Sequence, residues 1–534
     1  MAVRTDERVQ QNALVSVSGR VAPAREVQLR DDAKTNVLFI AALVGIALAA
    51  VFVRVWQINA LGFNSDEAVY AGQAAAIANN ADLKSFFPIF RAHPLLFQTV
   101  LSLSYRIGGG DLAARLLAAA TGLATVYLVF ATAKLLYGRK AALAAALFIA
   151  LMPYHVIVSR QVLLDGPMVM FATLSLYAVA RFSITGRASW LYVAGGAIGL
   201  TVISKETGAL LLGSVYVFLA LSSSIRVRVR DIAISLFVMA IVVAPYPLAV
   251  LLSGKSSTGG NYLTWQLFRP ANHGLLFYPT TVLEAMGYLV LAAAVAGFWL
   301  HRRTTSWRET LLVAWIAVPV VFFELWPVKG FQYLLPAAPA VAILAGRTVG
   351  SWSPNAAFRV MGISLKAGAC AAIAVCIIVA SLVLPAWNGI QPAKSDEFLA
   401  GSGGVPGGRE AGLWVNQNVP AGAAMLALGP SMANIIQFYG HRKAYGLSVS
   451  PNPQHRNPSY EAVENPDRAL RDNDIQYIIW DAFSASRSSF FSDRLLRYVA
   501  RYHGTAVHEE SVPAQDADGS MIQKPVIIIY EVRP

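Results

Sequence analysis

Asp66 and Glu67 stand side by side in "FNSDEAVYAGQ", directly after an apolar run long enough to cross a bilayer. A carboxylate at that boundary can take a proton from an attacking hydroxyl. Further polar residues recur at the ends of other apolar runs. Arg91 and His93 fall in "FRAHPLL", Arg160 and Asp165 in "SRQVLLDGPM", Lys205 and Glu206 in "SKETG", and Glu324, Lys329 and Tyr333 in "FELWPVKGFQYLLP". Cations in such a set can stabilise a departing phosphate. An acid, a histidine and several Lys and Arg at one membrane surface suit transfer from a lipid-borne phosphate. Each group also has a plainer reading. Asn64 and Glu67 can form a helix-capping box, Asp165 can cap the next helix, and Lys205-Glu206 and Glu324/Lys329 can be ion pairs or interfacial anchors. All these plain readings would have to hold on the same face of the membrane, where clustered ionisable residues mark a site.

The elements that position these residues are membrane helices. The chain has 534 residues, of which 56% are hydrophobic and 14% charged; soluble domains carry about 25% charged residues. The net charge of +13 follows the positive-inside bias of membrane loops rather than a nucleic-acid surface. Spans are expected at about 36–56, 111–137, 141–158, 166–183, 189–203, 207–224, 231–252, 281–300, 309–325, 331–349 and 363–386, about eleven in all. With the 1–35 tail in the cytoplasm, Lys134, Arg139 and Lys140, then Arg226, Arg228 and Arg230, then Arg302, Arg303 and Arg308 all fall in cytoplasmic loops. This threading reads residues 94–107 as an interfacial helix and 57–110 as one long external loop with helices of its own. A second external loop, 253–280, carries Tyr262, Trp265, Arg269 and His273 and reads equally as a cavity-shaping interfacial helix or an aromatic belt. The apolar spans run from 36 to 386, a Gly/Pro/Ser-rich linker covers 387–407, and 408–534 reads as an external α/β domain. Its expected strands are at 424–428, 475–480 and 525–532, and its expected helices at 408–418, 431–439, 464–472 and 488–502. Cys370 and Cys376 lie inside one apolar segment and read as an inert pair.

The ordered stretches "SDEAVYA", "HPLL", "RLLAAATGLATVYLVF", "SRQVLLDGPMVMF", "SKETG" and "KGFQYLLPAAPA" resemble those of GT-C fold glycosyltransferases of the protein O-mannosyltransferase and lipid A aminoarabinose transferase type. The resemblance runs over roughly 36–350. It implies a multi-pass α-helical membrane protein with interfacial helices and an extramembrane domain. It also implies an inverting transfer of sugar from a polyprenyl-phosphate donor to an external hydroxyl. By this resemblance Asp66 is the catalytic carboxylate, and Glu67 and Asp165 support it or bind acceptor. Lys205, Lys329 and Arg91 hold donor phosphate, and His93, Arg160, Glu206, Glu324 and Tyr333 line the cavity. The "HPL" here departs from the second proline many relatives carry, which leaves the role of His93 open. A divalent metal is left open too, because no regular ligand spacing occurs. The expected partners are a polyprenyl-phosphate sugar, an envelope glycan, glycolipid or protein acceptor, and the lipid bilayer, with no nucleic acid. The expected place is a bacterial plasma membrane.

Two rivals come from other classes. Membrane carboxylates and lysines also build ion pathways, but these cluster on one face, whereas transporter sites lie near the midplane. A non-catalytic assembly subunit would survive loss of Asp66. Within the enzyme reading, transfer to serine or threonine of exported proteins is the alternative to a glycan or glycolipid acceptor.

Overall fold

A computed structural model describes residues 33–90, 92–254, 256–300, 306–351, 357–360, 363–392, 405–515 and 520–533. The chain divides into a unit Met1–Gly45 and a unit Ile46–Pro534. The described part of the first is the opening of the helix Ala33–Val55. Apart from the start of that helix, everything below concerns the second.

Among the described residues, six helices are long and apolar enough to cross a membrane: Val37–Val55, Asp111–Tyr137, Asp165–Thr185, Val229–Leu252, Phe331–Gly350 and Gly368–Gly389. Two pairs bent by 59° and 89°, Arg139–Leu151 with Pro153–Ser159 and Tyr278–Met286 with Tyr288–Trp299, raise this to at most eight if each pair is one broken span. The remaining three expected spans are helical but shorter or more polar, at Ala188–Ser204, Leu210–Leu221 and Trp307–Leu325. The chain is a multi-pass membrane protein. The run expected from 363 begins instead as a two-stranded hairpin, β1 (Ala357–Val360) and β2 (Ile363–Lys366), before its helix starts at Ala367.

Small residues let the spanning helices approach closely, the usual basis of helix association in lipid. A Cβ on Gly346 would meet Ala141 O at 2.6 Å, and one on Gly350 would meet Ala141 N at 2.7 Å. Gly195 and Gly199, again four apart, press in the same way on Ser235 and on Val242 and Met239.

The long loop after the first span holds three helices, Ser65–Ile77, Ala81–Phe86 and Leu96–Arg106. The last has 11 residues, about 16 Å at 1.5 Å per residue, which is half a bilayer core. The C-terminal α/β fold carries a five-stranded sheet. Its strands are β3 (Ala424–Ala427), β4 (Lys443–Gly446), β5 (Tyr477–Asp481), β6 (Thr505–Gln515) and β7 (Met521–Glu531), in the order β4-β3-β5-β7-β6. β3 pairs parallel with β4 and β5, and β7 pairs antiparallel with β5 and β6. Leu426, Ile478, Leu470 and Leu495 form its core.

This domain docks on the chain that leads to Asp66. Arg409 donates to Asn59 Oδ1 at 2.8 Å and Leu61 O at 3.0 Å and pairs with Asp111 at 2.9 Å. The Tyr439 hydroxyl accepts from Phe63 N–H at 2.8 Å and donates to Asp111. Asn434 donates to the Ser65 hydroxyl at 3.0 Å. Phe63 is wholly buried against the rings of Phe438 and Tyr439.

Candidate active site

The helix Ser65–Ile77 opens with a capping box. Asn64 Oδ1 accepts from Glu67 N–H and Glu67 Oε2 accepts from Asn64 N–H, both at 3.0 Å. Successive helical residues point about 100° apart, so fixing Glu67 in the cap turns Asp66 elsewhere. The Glu67 carboxylate is fully buried and takes a two-pronged bond from Arg115, Nε to Oε1 at 2.9 Å and Nη2 to Oε2 at 2.8 Å. It also accepts from Val162 N–H at 3.0 Å. Arg115 donates in addition to Ile58 O, Leu61 O and Gly62 O. Glu67 therefore holds the loop and does not line the cavity described next.

Asp66 opens into a cavity of about 240 Å³. Val69, Tyr70 and Gln73 follow it along the same helix face and line the same wall. The Asp66 side chain is exposed to the cavity, whose walls crowd around it. That enclosure raises its pKa above the ordinary aspartate value; Lys205 and His93 oppose the rise, and Asp165 and Glu67 add to it.

Opposite lies the break between Ala188–Ser204 and the 3₁₀ turn Glu206–Ala209. Lys205 ends the first helix with extended backbone, and Gly208 folds back so tightly that a Cβ would meet Thr201 at 2.5 Å. The break puts Lys205 and Glu206 on the cavity wall. Lys205 Nζ bonds both oxygens of Asp165 at 2.8 and 2.9 Å and lies 5.3 Å from the Tyr333 ring centre. Asp165, at the start of Asp165–Thr185, lies behind Lys205 and is buried. Glu206 accepts from His93 Nδ1 at 2.9 Å. With that proton on Nδ1, His93 Nε2 accepts from the Tyr262 hydroxyl at 3.3 Å.

Tyr262, Trp265, Gln266 and Arg269 form a third wall, presented by the helix Ser256–Phe268 and the residue that follows it. Arg269 lies over the Trp265 ring at 4.7 Å. Asn457, Ser459 and Tyr460 of the α/β fold complete the lining.

Of the residues expected from the sequence, Asp66, His93, Lys205, Glu206 and Tyr333 line this cavity. Arg160 does not; it donates to Val53 O and Trp56 O at the end of the first span. Lys329 does not either; its ammonium caps a helix end through Glu324 O at 2.6 Å and Phe323 O at 3.3 Å. Glu324 lies 3.5 Å from that ammonium and is absent from the lining. Arg91 lies outside the described residues. No group of three His, Cys, Asp or Glu among the described residues is arranged to hold a metal ion. Tyr70 and Gln73 were missed, although their spacing from Asp66 by four and seven residues was a usable signal. Asn457, Ser459 and Tyr460 carry no such signal, since only tertiary folding brings them there.

The sequence profile of a family described as dolichyl-phosphate-mannose-protein mannosyltransferase matches residues 92–249. The undecaprenyl phosphate-alpha-4-amino-4-deoxy-L-arabinose arabinosyl transferase of Pectobacterium carotovorum is 24% identical over 294 residues, 51% of this chain and 52% of that protein. The match thus spans about half the length of the curated relative. The crystal structure of ArnT from Cupriavidus metallidurans in the apo state superposes with a TM-score of 0.65 at 15% identity, covering 93% of this chain and 98% of that one. The same protein bound to undecaprenyl phosphate gives 0.61 at 16% identity, covering 92% and 97%. At such identities the likeness establishes the fold, which is the GT-C fold.

Proposed function

We propose that this GT-C chain is an inverting membrane glycosyltransferase that moves a sugar from a polyprenyl-phosphate donor to an acceptor hydroxyl on the external face. The observation that carries the reading is the single cavity in which Asp66, Lys205 and Arg269 meet. The undecaprenyl phosphate held by the ArnT structure of the same fold supports a lipid-phosphate donor. In this reaction the acceptor oxygen attacks the anomeric carbon and Asp66 takes the acceptor proton. The bond from that carbon to the phosphate oxygen breaks, its electron pair leaves with the polyprenyl phosphate, and a single displacement inverts the centre. Lys205 is already shared with Asp165, so Arg269, stacked on Trp265, is the cation better able to turn to the leaving phosphate. The buried, doubly bonded Glu67 sets the register of the loop.

The cavity is then external, with the N-terminus cytoplasmic and the α/β fold outside, in the plasma membrane of a bacterium. The acceptor is an envelope glycan or glycolipid. The protein mannosyltransferase profile over 92–249 favours a second reading, transfer to exported protein.

The deciding experiment uses the protein in lipid nanodiscs with a panel of synthetic polyprenyl-phosphate sugars and an envelope fraction as acceptor. Release of polyprenyl phosphate from one donor, absent in Asp66→Asn, is the expected result. Equal release by both proteins would remove Asp66 from the base role, and no release from any donor would remove the transferase reading.

A further inference from the structure

The helix Ser256–Phe268 has two working faces. Tyr262, Trp265 and Arg269 look into the cavity with Asp66. Asn261 and Phe268, on the adjoining face, line a second and larger hollow of about 730 Å³. The wall opposite is divided in the same way. Ser459 and Tyr460 of the α/β fold face the cavity, while His455 and Arg456, a few residues earlier, face the hollow. Trp265 belongs to both linings, so its ring is a wall common to the two spaces.

We infer that this groove is an acceptor subsite for a saccharide chain, which lies along it and delivers its terminal hydroxyl past Trp265 to Asp66. The inference rests on the transfer reading above and adds to it the place where the acceptor lies, narrowing its class to a saccharide chain. Three observations favour a saccharide. Phe268 is 81% exposed, so an aromatic face stands open along the groove; such a face covers the apolar side of a sugar ring. Asn261 and His455 offer hydrogen bonds beside it, the mixture of apolar surface and a few polar groups that fixes a ligand's orientation. Among the described residues the groove's lining contains Arg456 and no carboxylate, which suits a neutral or acidic glycan. Adjacency to the cavity across Trp265 also means that a longer acceptor gains contacts without rearranging the site of transfer.

The test uses the full chain in nanodiscs. The probe is a ladder of oligosaccharides of increasing length, cut from an acidic envelope glycan by mild hydrolysis. Affinity is measured without donor, so it does not depend on turnover. The expected result is an affinity that rises with chain length in the wild type and in Asp66→Asn. In Phe268→Ala and in Arg456→Ala the longest members weaken about tenfold while the shortest hardly change. Thermal unfolding of both variants checks that the fold is intact. A length dependence that survives both substitutions overturns the inference. So does displacement by a serine- and threonine-rich peptide but not by the ladder, which would make the groove a peptide site. Weakening confined to long-chain polyprenyl phosphate overturns it as well, in favour of a lipid-tail groove. Ladder binding without donor turnover would keep the groove and remove the transfer reading; turnover indifferent to acceptor length would do the reverse.

Discussion

An Asp66→Asn chain keeps the shape of the cavity wall and loses its proton acceptor. Transfer should fall by a factor on the order of 10²–10⁴, the usual worth of a positioned base, while donor binding persists. The enclosed carboxyl titrates above the ordinary aspartate value, about 3.9. A base works ionised, so activity should be lost as pH falls through this raised pKa. The acid limb of a kcat/KM profile should therefore lie at higher pH than a free aspartate would give, and a limb at or below the ordinary value would contradict the geometry. Glu67, one residue on, should respond differently. Glu67→Gln takes the opposite charge away from the buried Arg115 guanidinium, a loss of about 3–5 kcal/mol. Its melting temperature in detergent should drop, whereas that of Asp66→Asn should hardly move.

At the scale of elements, the close contact at Gly346 makes a sharp test. A side chain there must displace the backbone of Arg139–Leu151, so Gly346→Val should cost about 1–3 kcal/mol, read as earlier thermal unfolding. Gly368, with nothing near its Cβ position, is the control: Gly368→Ala should be neutral or slightly stabilising. Helices were the legible part of the sequence. Asp111–Tyr137 and Gly408–Asn418 have the bounds the pattern predicts, because long apolar runs and amphipathic turns are written locally. The hairpin Ala357–Lys366 was not legible, since its second strand reads as the start of an apolar run. β4 has four residues and ends in glycine, and β6 carries Glu509, Glu510 and Pro513; both are edge strands that pair on one side, so neither needs a hydrophobic pattern. In the cavity, residue types pointed to Asp66 and Lys205. The same types misled at Arg160 and Lys329, where a basic side chain near a helix end satisfies backbone carbonyls instead. Charge at a membrane boundary is visible in a sequence; the partner that takes it up is not.

At the scale of the molecule, the α/β fold is part of the machinery that sets Asp66. Arg409→Ala removes the bonds to Asn59, Leu61 and Asp111 together. It should lower kcat several-fold and leave the KM for donor almost unchanged, because no residue facing the donor is altered. Arg409→Lys should restore part of the rate, whereas a purely structural loss would move both constants with the melting temperature. Asn59 and Arg409 are 350 positions apart in the chain. A ribosome adding about 5–20 residues per second needs roughly 20–70 s to go from one to the other. Throughout that interval the Asp66 carboxylate has been made and the clamp that orients its loop has not. The loop that carries Asp66 is thus completed by contacts from the last quarter of the chain, and its final setting waits on the end of synthesis.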